Sequence, residues 1–167
     1  IEAGNFIRTS STELAEDQTK AYICWDDTNL YLAALCHETV LDPVLNQLDR
    51  FIATKDMRDD PVWEDECIEL FIAPGESRSG YYHIVVNALG TVYDSAGFEQ
   101  PDAFDADISA AGNIGDARWT LEMSLPLVDF SPDGAGAGDE WYLNICRTDK
   151  SGDEWSSWSS VGSKGFH

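Results

Sequence analysis

One segment sets an indole and carboxylates close together: Trp63-Glu64-Asp65-Glu66-Cys67-Ile68-Glu69-Leu70-Phe71-Ile72. Successive side chains of a strand point to opposite faces, so Ile68, Leu70 and Ile72 share one side and Cys67, Glu69 and Phe71 the other. Glu69 then looks outward beside an aromatic ring, and Trp63 stands at the strand's entrance. A flat indole can stack on the C–H face of a sugar while a carboxylate accepts hydrogen bonds from its hydroxyls. Glu66 and Glu69 are three residues apart and face opposite ways. They are therefore a poor pair for glycoside hydrolysis, which needs two carboxylates about 5–10 Å apart across one bond.

Strands and turns must position these groups. Ala21 to Trp25 and Leu30 to Cys36 flank Asp26-Asp27-Thr28-Asn29, a tight-turn composition that predicts a hairpin. A polar excursion around residues 42–62 follows, with a short amphipathic piece at Leu45-Leu48-Phe51-Ile52, and it delivers Trp63. Loops of that length in a compact domain are usually functional. Cys67 to Ile72 and Tyr81 to Asn87 form a second hairpin. Tyr82, Ile84 and Val86 make the apolar side of its return strand, which turns Tyr81, His83, Val85 and Asn87 outward. Directly opposed residues of an antiparallel pair share a face, so Glu69, His83 and Asn87 are expected on one surface.

Leu89-Gly90 reads as a turn into Thr91-Val92-Tyr93, and residues 97–117 have little apolar content. Trp119 to Leu125 alternates cleanly and stops at Pro126. Trp141, Leu143 and Ile145 repeat that pattern up to Arg147, ahead of a tail rich in tryptophan and serine, Glu154 to Ser160. Many short alternating strands with turn signals predict an all-β protein, an antiparallel β-sandwich of immunoglobulin-like or jelly-roll-like kind, forming one domain over residues 1–167. Trp25, Trp119 and Trp141 lie in alternating strands and are expected in the core.

Composition narrows the partners. Ten basic against thirty-one acidic residues give a formal net charge of -21, which repels phosphate backbones and makes nucleic acid a poor partner. No apolar run approaches the roughly 20 residues of a membrane helix, so no membrane insertion is expected. With 167 residues and 43% hydrophobic content the chain can bury a core of its own, without a required cofactor. Cys24, Cys36, Cys67 and Cys146 all fall in strand-like runs without CxxC spacing. They read as free, buried thiols, with one or two bridges open in an exported protein.

Taken together, the ordered motifs resemble carbohydrate-binding family 9 and its family-9-like relatives. The resemblance runs from about Ala21 to His167. It rests on Trp25-Asp26-Asp27 with Asn29-Leu30-Tyr31, on Trp63 through Phe71, on Tyr81-Tyr82 with Val86-Asn87 and Gly90, on Trp119 through Pro126, and on Asn144 with the Trp/Ser tail. It implies a non-catalytic domain that holds an oligo- or polysaccharide between two tryptophans. Residue by residue, Trp63 matches the first tryptophan, Glu69 the hydroxyl-binding glutamate and Asn87 a polar ligand. Trp158 is the choice for the second tryptophan, with Trp155 in reserve.

Two departures stand out. Val85 occupies the place of a family arginine, and Arg147, from another strand, is the candidate replacement, with His83 as a further polar candidate. The chain also ends at Gly165-Phe166-His167, short of a Pro-x-x-Phe-Gly stretch and last strand common in relatives. The resemblance further implies a secreted, periplasmic or cell-surface setting and attachment to a larger protein.

Other readings carry their own residues. A structural or protein-interaction sandwich would leave the tryptophans to packing. A haem-binding redox sandwich would call on Met57, Met123 or His83 as axial ligands. Some relatives hold structural calcium, and Asp26, Asp27, Asp42, Asp59, Asp60, Asp94 and Asp102 offer loop oxygens without EF-hand spacing, so the metal ligands stay open.

Overall fold

The computed structural model describes all residues except 43, 45–46, 48–49, 76–79, 98–102, 132–133, 163–164 and 167. Its strands are β1 (Glu2–Ala3), β2 (Ile7–Arg8), β3 (Thr19–Trp25), β4 (Asn29–His37), β5 (Cys67–Pro74), β6 (Tyr82–Asn87), β7 (Val92–Ala96), β8 (Ser109–Gly115), β9 (Arg118–Pro126), β10 (Trp141–Asp149) and β11 (Glu154–Ser157). They form two antiparallel sheets, one ordered β1-β3-β4-β9-β8 and the other β2-β11-β10-β5-β6-β7. This is the expected β-sandwich. Among the described residues, no helix is long and apolar enough to cross a membrane.

The alternation read from the sequence is what builds the interior. Ile68, Leu70 and Ile72 of β5, Ile84 and Val86 of β6 and Ile145 of β10 meet Ile23, Leu32, Leu121, Met123 and Leu125 of the other sheet in one buried cluster. The β3–β4 hairpin turns where predicted because Asp26 Oδ1 accepts the backbone N–H groups of Thr28 and Asn29, each at 2.8 Å. Those two bonds, with help from the Thr28 and Tyr31 hydroxyls, hold the Asp26 carboxyl well below the usual carboxylate range.

Three regions differ from expectation. Residues 109–115, too poor in apolar residues to read as a strand, form β8 at a sheet edge, where low strand propensity is tolerated. There Gly112 passes so close to the Leu89-Gly90 turn that a Cβ would lie 2.0 Å from the Ala88 carbonyl oxygen, so only glycine fits. Trp119 is fully buried and Trp141 packs against the core, but Trp25 is 64% exposed. Its side chain has core parity yet sits at the strand's last residue. The amphipathic piece at Leu45-Leu48 lies outside the described residues; of its companions, Phe51 packs against the core and Ile52 is exposed. All four cysteines are free, three of them buried, while Cys24 is exposed.

Candidate functional site

The outward face of the second sheet collects most of the predicted residues. Register pairs Cys67 with Asn87, Glu69 with Val85 and Phe71 with His83, and on the other side Glu69 with Cys146 and Cys67 with Thr148. Side-chain parity is therefore as expected.

Glu69 is only 5% exposed. Its Oε2 lies 2.8 Å from His83 Nε2, and its Oε1 accepts the Thr148 hydroxyl at 2.9 Å. The His83 ring stacks on Phe71 with centroids 4.4 Å apart and planes 11° apart. On its other side Tyr93 approaches at 6.0 Å, and Tyr93 in turn meets Trp63 edge-on at 5.0 Å. A continuous ring ladder, Trp63–Tyr93–His83–Phe71, thus crosses this face, with Phe166 of the tail 6.5 Å from Phe71. Trp63 is its exposed end, 41% open to solvent.

The loop that presents Trp63 is clamped from below. Trp63 sits in a 3-10 turn, Val62–Glu64, whose Val62 packs with Cys67, Val85 and Tyr93. Asp65 Oδ2 accepts the Thr54 and Lys55 N–H groups and the Asn87 amide, at 2.8, 2.8 and 2.9 Å. The Asn87 amide also donates to the Lys55 carbonyl, while its oxygen accepts the N–H groups of Leu89 and Thr91. Every donor of that amide and both lone pairs of its oxygen are engaged, and the residue is fully buried. Asn87 lies on the expected face, but its geometry is that of a loop clamp.

The remaining candidates lie apart. Trp158 packs half-buried against the core, and its backbone N–H donates to the Ile145 carbonyl; it faces inward and does not oppose Trp63. Trp155 pairs with Thr148, and so shares the outer face, with Lys150 Nζ 5.7 Å from its ring. Arg147 is buried between the sheets, on the side of Ile145, because its parity is that of the core. It donates to the carbonyls of Asp17 and His37 at 3.0 and 2.7 Å and to Glu38 Oε2 at 2.9 Å. It therefore cannot stand in for the arginine that Val85 replaces.

Around Arg147, at one end of the sandwich, acids accumulate. One oxygen each from Asp17, Glu38 and Asp149 lies within 4.8 Å of the others. Ser151 binds them together: its hydroxyl is 2.7 Å from Glu38 Oε1 and 2.9 Å from Asp149 Oδ1, and its N–H donates to Glu66 Oε1 at 2.8 Å. Burial, aided by the charges of Glu38 and Asp149, pushes the Glu66 carboxyl up to about 8. Glu66 and Glu69 thus face different environments, as their spacing predicted.

The loop aspartates expected for calcium are otherwise engaged or scattered. Asp26 holds its turn, and buried Asp94 accepts the Ala106 N–H and pairs with Arg58. Asp102 lies outside the described residues. For haem, Met123 is buried in the core and Met57 is exposed, while His83 Nε2 faces Glu69, so the three do not converge.

Sequence reasoning missed Tyr93, Thr148 and the acid cluster. Tyr93 could have been placed by extending the parity argument one strand further, since it opposes Val85. The cluster draws on four separate segments and had no local signal.

Comparison with known protein families matches residues 17–125 to carbohydrate-binding family 9. Among solved structures, a candidate carbohydrate-binding protein of Bacteroides uniformis aligns with a TM-score of 0.69 at 15% identity, over 99% of this chain and 79% of that one. A family 9 carbohydrate-binding module of Caldicellulosiruptor kristjanssonii, in complex with cellotriose, aligns with a TM-score of 0.59 at 13% identity, over 93% and 71%. The module from the same organism in complex with glucose gives 0.59 at 11% identity, over 93% and 73%. No curated protein matches the chain.

Proposed function

The chain belongs to carbohydrate-binding family 9, and on that premise we propose that it is a non-catalytic module binding a saccharide at Trp63. One observation carries the reading. A tryptophan, the side chain with most to gain from burial, is held 41% exposed on a loop clamped by Asp65 and Asn87. The indole stacks on the sugar, Tyr93 fixes its edge, and the Glu69–His83 pair beneath offers the polar end of the site. Each Glu69 oxygen keeps a second lone pair for a hydroxyl.

A single-sided platform follows from the inward position of Trp158. Trp155 stands three or four strands away from Trp63, roughly 14–19 Å at about 4.8 Å per strand, too far to sandwich one ring. A linear glycan laid across the strands is the better match, and cello-oligosaccharides, the class found on the C. kristjanssonii module, are the first to test. Covering about 100 Å² of sugar C–H surface contributes about 2.5 kcal/mol, which with a few hydrogen bonds and ordering costs gives a dissociation constant of roughly millimolar to micromolar. That strength suits a tether in a larger secreted or surface protein, where local concentration multiplies it.

The test is calorimetric titration of cello-oligosaccharides into the unmodified chain and into Trp63→Ala. Binding that weakens about tenfold or more, with an unchanged melting temperature, supports the reading. Equal affinity in both would place saccharide binding away from Trp63, and no binding in either would instead favour a protein-interaction sandwich.

A further inference from the structure

Trp63 and the Glu69–His83 pair do not sit side by side. Tyr93 stands between them, its ring centroid 5.0 Å from the indole and 6.0 Å from the imidazole, so a sugar stacked on Trp63 lies two ring steps from that pair. A pyranose laid flat on an indole turns C–H bonds toward it and radiates its equatorial hydroxyls sideways, in the plane of its own ring. Groups that recognise those hydroxyls must stand beside the indole.

The same loop carries such groups. Glu64 follows Trp63 in the 3-10 turn, and its Oε2 lies 2.8 Å from Lys55 Nζ. The Glu64 side chain is 56% exposed and that of Lys55 25%. Asp65 Oδ2 accepts the Lys55 N–H, and the Lys55 carbonyl accepts the Asn87 amide and the Thr91 hydroxyl, each at 2.8 Å. The clamp that holds Trp63 up therefore also fixes Lys55, and it does so through backbone atoms, leaving the ammonium to Glu64. An ion pair this open contributes little to folding. Its hydrogen-bonding capacity exceeds what one bond uses: the ammonium has three protons, of which Glu64 takes one, and the carboxylate has lone pairs on both oxygens. Arg58, another cation of this loop, is instead spent on Asp94, Asp105 and the Ala106 carbonyl.

We propose that Lys55 and Glu64 bind two neighbouring equatorial hydroxyls of the sugar stacked on Trp63, the ammonium donating to one and the carboxylate accepting from the other. The inference rests on the reading of Trp63 as the platform and adds a specificity to it. Along a β-1,4-linked glucan the free neighbouring hydroxyls of an internal ring are the 2-OH and the 3-OH, both equatorial. A donor and an acceptor held one hydrogen bond apart match that pair. In the corresponding mannan the 2-OH is axial and leaves the ring plane, so one member of the ion pair loses its partner. A site with a polar group left unpaired in this way rejects the epimer.

The test is calorimetric titration of cellotriose and of β-1,4-linked mannotriose into the unmodified chain, Trp63→Ala, Lys55→Met and Glu64→Gln. The unmodified chain should prefer cellotriose by about fivefold or more. Lys55→Met should lose about that factor in cellotriose affinity, bind the two trisaccharides alike and keep its melting temperature. Glu64→Gln should move the same way, and it decides should Lys55→Met fail to fold. Equal affinity of the unmodified chain for the two trisaccharides, cellotriose affinity undiminished in either variant, or a preference for cellotriose that outlasts either substitution would overturn the inference and leave Trp63 as the platform. Binding absent from the unmodified chain, or undiminished in Trp63→Ala, would overturn the underlying reading together with it.

Discussion

Glu69 and Glu66 come from one stretch of chain, yet they belong to two regions built on opposite principles. On the outer face, Glu69 has one partner for each oxygen, His83 and Thr148, and lies beneath a ladder of rings. At the sandwich end, Glu66 joins Asp17, Glu38 and Asp149 around Arg147, with one Glu66 oxygen left unmatched. Both glutamates are buried, so burial alone does not distinguish them. What differs is the ratio of charges to partners. The first region is settled and can offer its aromatic rim to a ligand; the second crowds four carboxyl groups around the single guanidinium of Arg147, and burial there raises Glu66 to about 8.

Removing Arg147 breaks the comparison most severely. Arg147→Leu strands Glu38, Asp149 and two carbonyls, and should cost about 3–5 kcal/mol of unfolding free energy in urea titration. Whatever protein remains folded should keep its saccharide affinity, since Arg147 faces away from Trp63. A selective loss of affinity at unchanged stability would place Arg147 in the binding site after all.

Asn87→Ala tests the clamp. It leaves the Leu89 and Thr91 N–H groups and the Asp65 carboxylate without their partner, for a loss of about 1–3 kcal/mol, and should weaken saccharide binding by loosening the Trp63 loop. Lower affinity at unchanged stability and unchanged loop protection in hydrogen exchange would mean that Asn87 touches the ligand directly.

Glu69→Gln preserves shape and a carbonyl acceptor while removing the charge opposite His83. It should cost about 1 kcal/mol of stability, less than Arg147→Leu, and reduce saccharide affinity several-fold by calorimetry. If its stability loss equalled that of Arg147→Leu, the two regions would share one balance of charges and partners.

The smallest effect is expected at Asp26, outside both regions. Its carboxyl is depressed in the folded protein by the Thr28 and Asn29 N–H groups, so the stability it contributes is present above the unfolded value near 4 and is lost as pH falls through its folded value. Asp26→Asn should therefore lower the melting temperature slightly at neutral pH, leave the most acidic points nearly unchanged, and so flatten the acid limb of the profile.

Much of this architecture was legible because period-2 alternation is a local signal. It assigned the core face of β5, β6, β9 and β10 and put Glu69, His83 and Asn87 on one side. The same rule placed Arg147 with the core residues, and the structure followed that parity; the functional hope attached to Arg147 did not survive it. Strand β8 stayed hidden because Ser, Ala and Gly carry no alternating apolar pattern. Trp158 could not be separated from Trp155 by composition, since both sit among serines, and only the pairing of β11 with β10 turns one outward and the other inward. That Asn87 would be saturated by Lys55, Asp65, Leu89 and Thr91 depended on a loop conformation with no periodic signature.

The central claim is that Trp63 is exposed in order to stack on sugar. Calorimetry with cello-oligosaccharides on the unmodified chain and on Trp63→Ala tests it most directly. The account predicts measurable binding at roughly millimolar to micromolar dissociation constants that falls about tenfold or more in Trp63→Ala while the melting temperature holds. Undiminished binding in Trp63→Ala would contradict it.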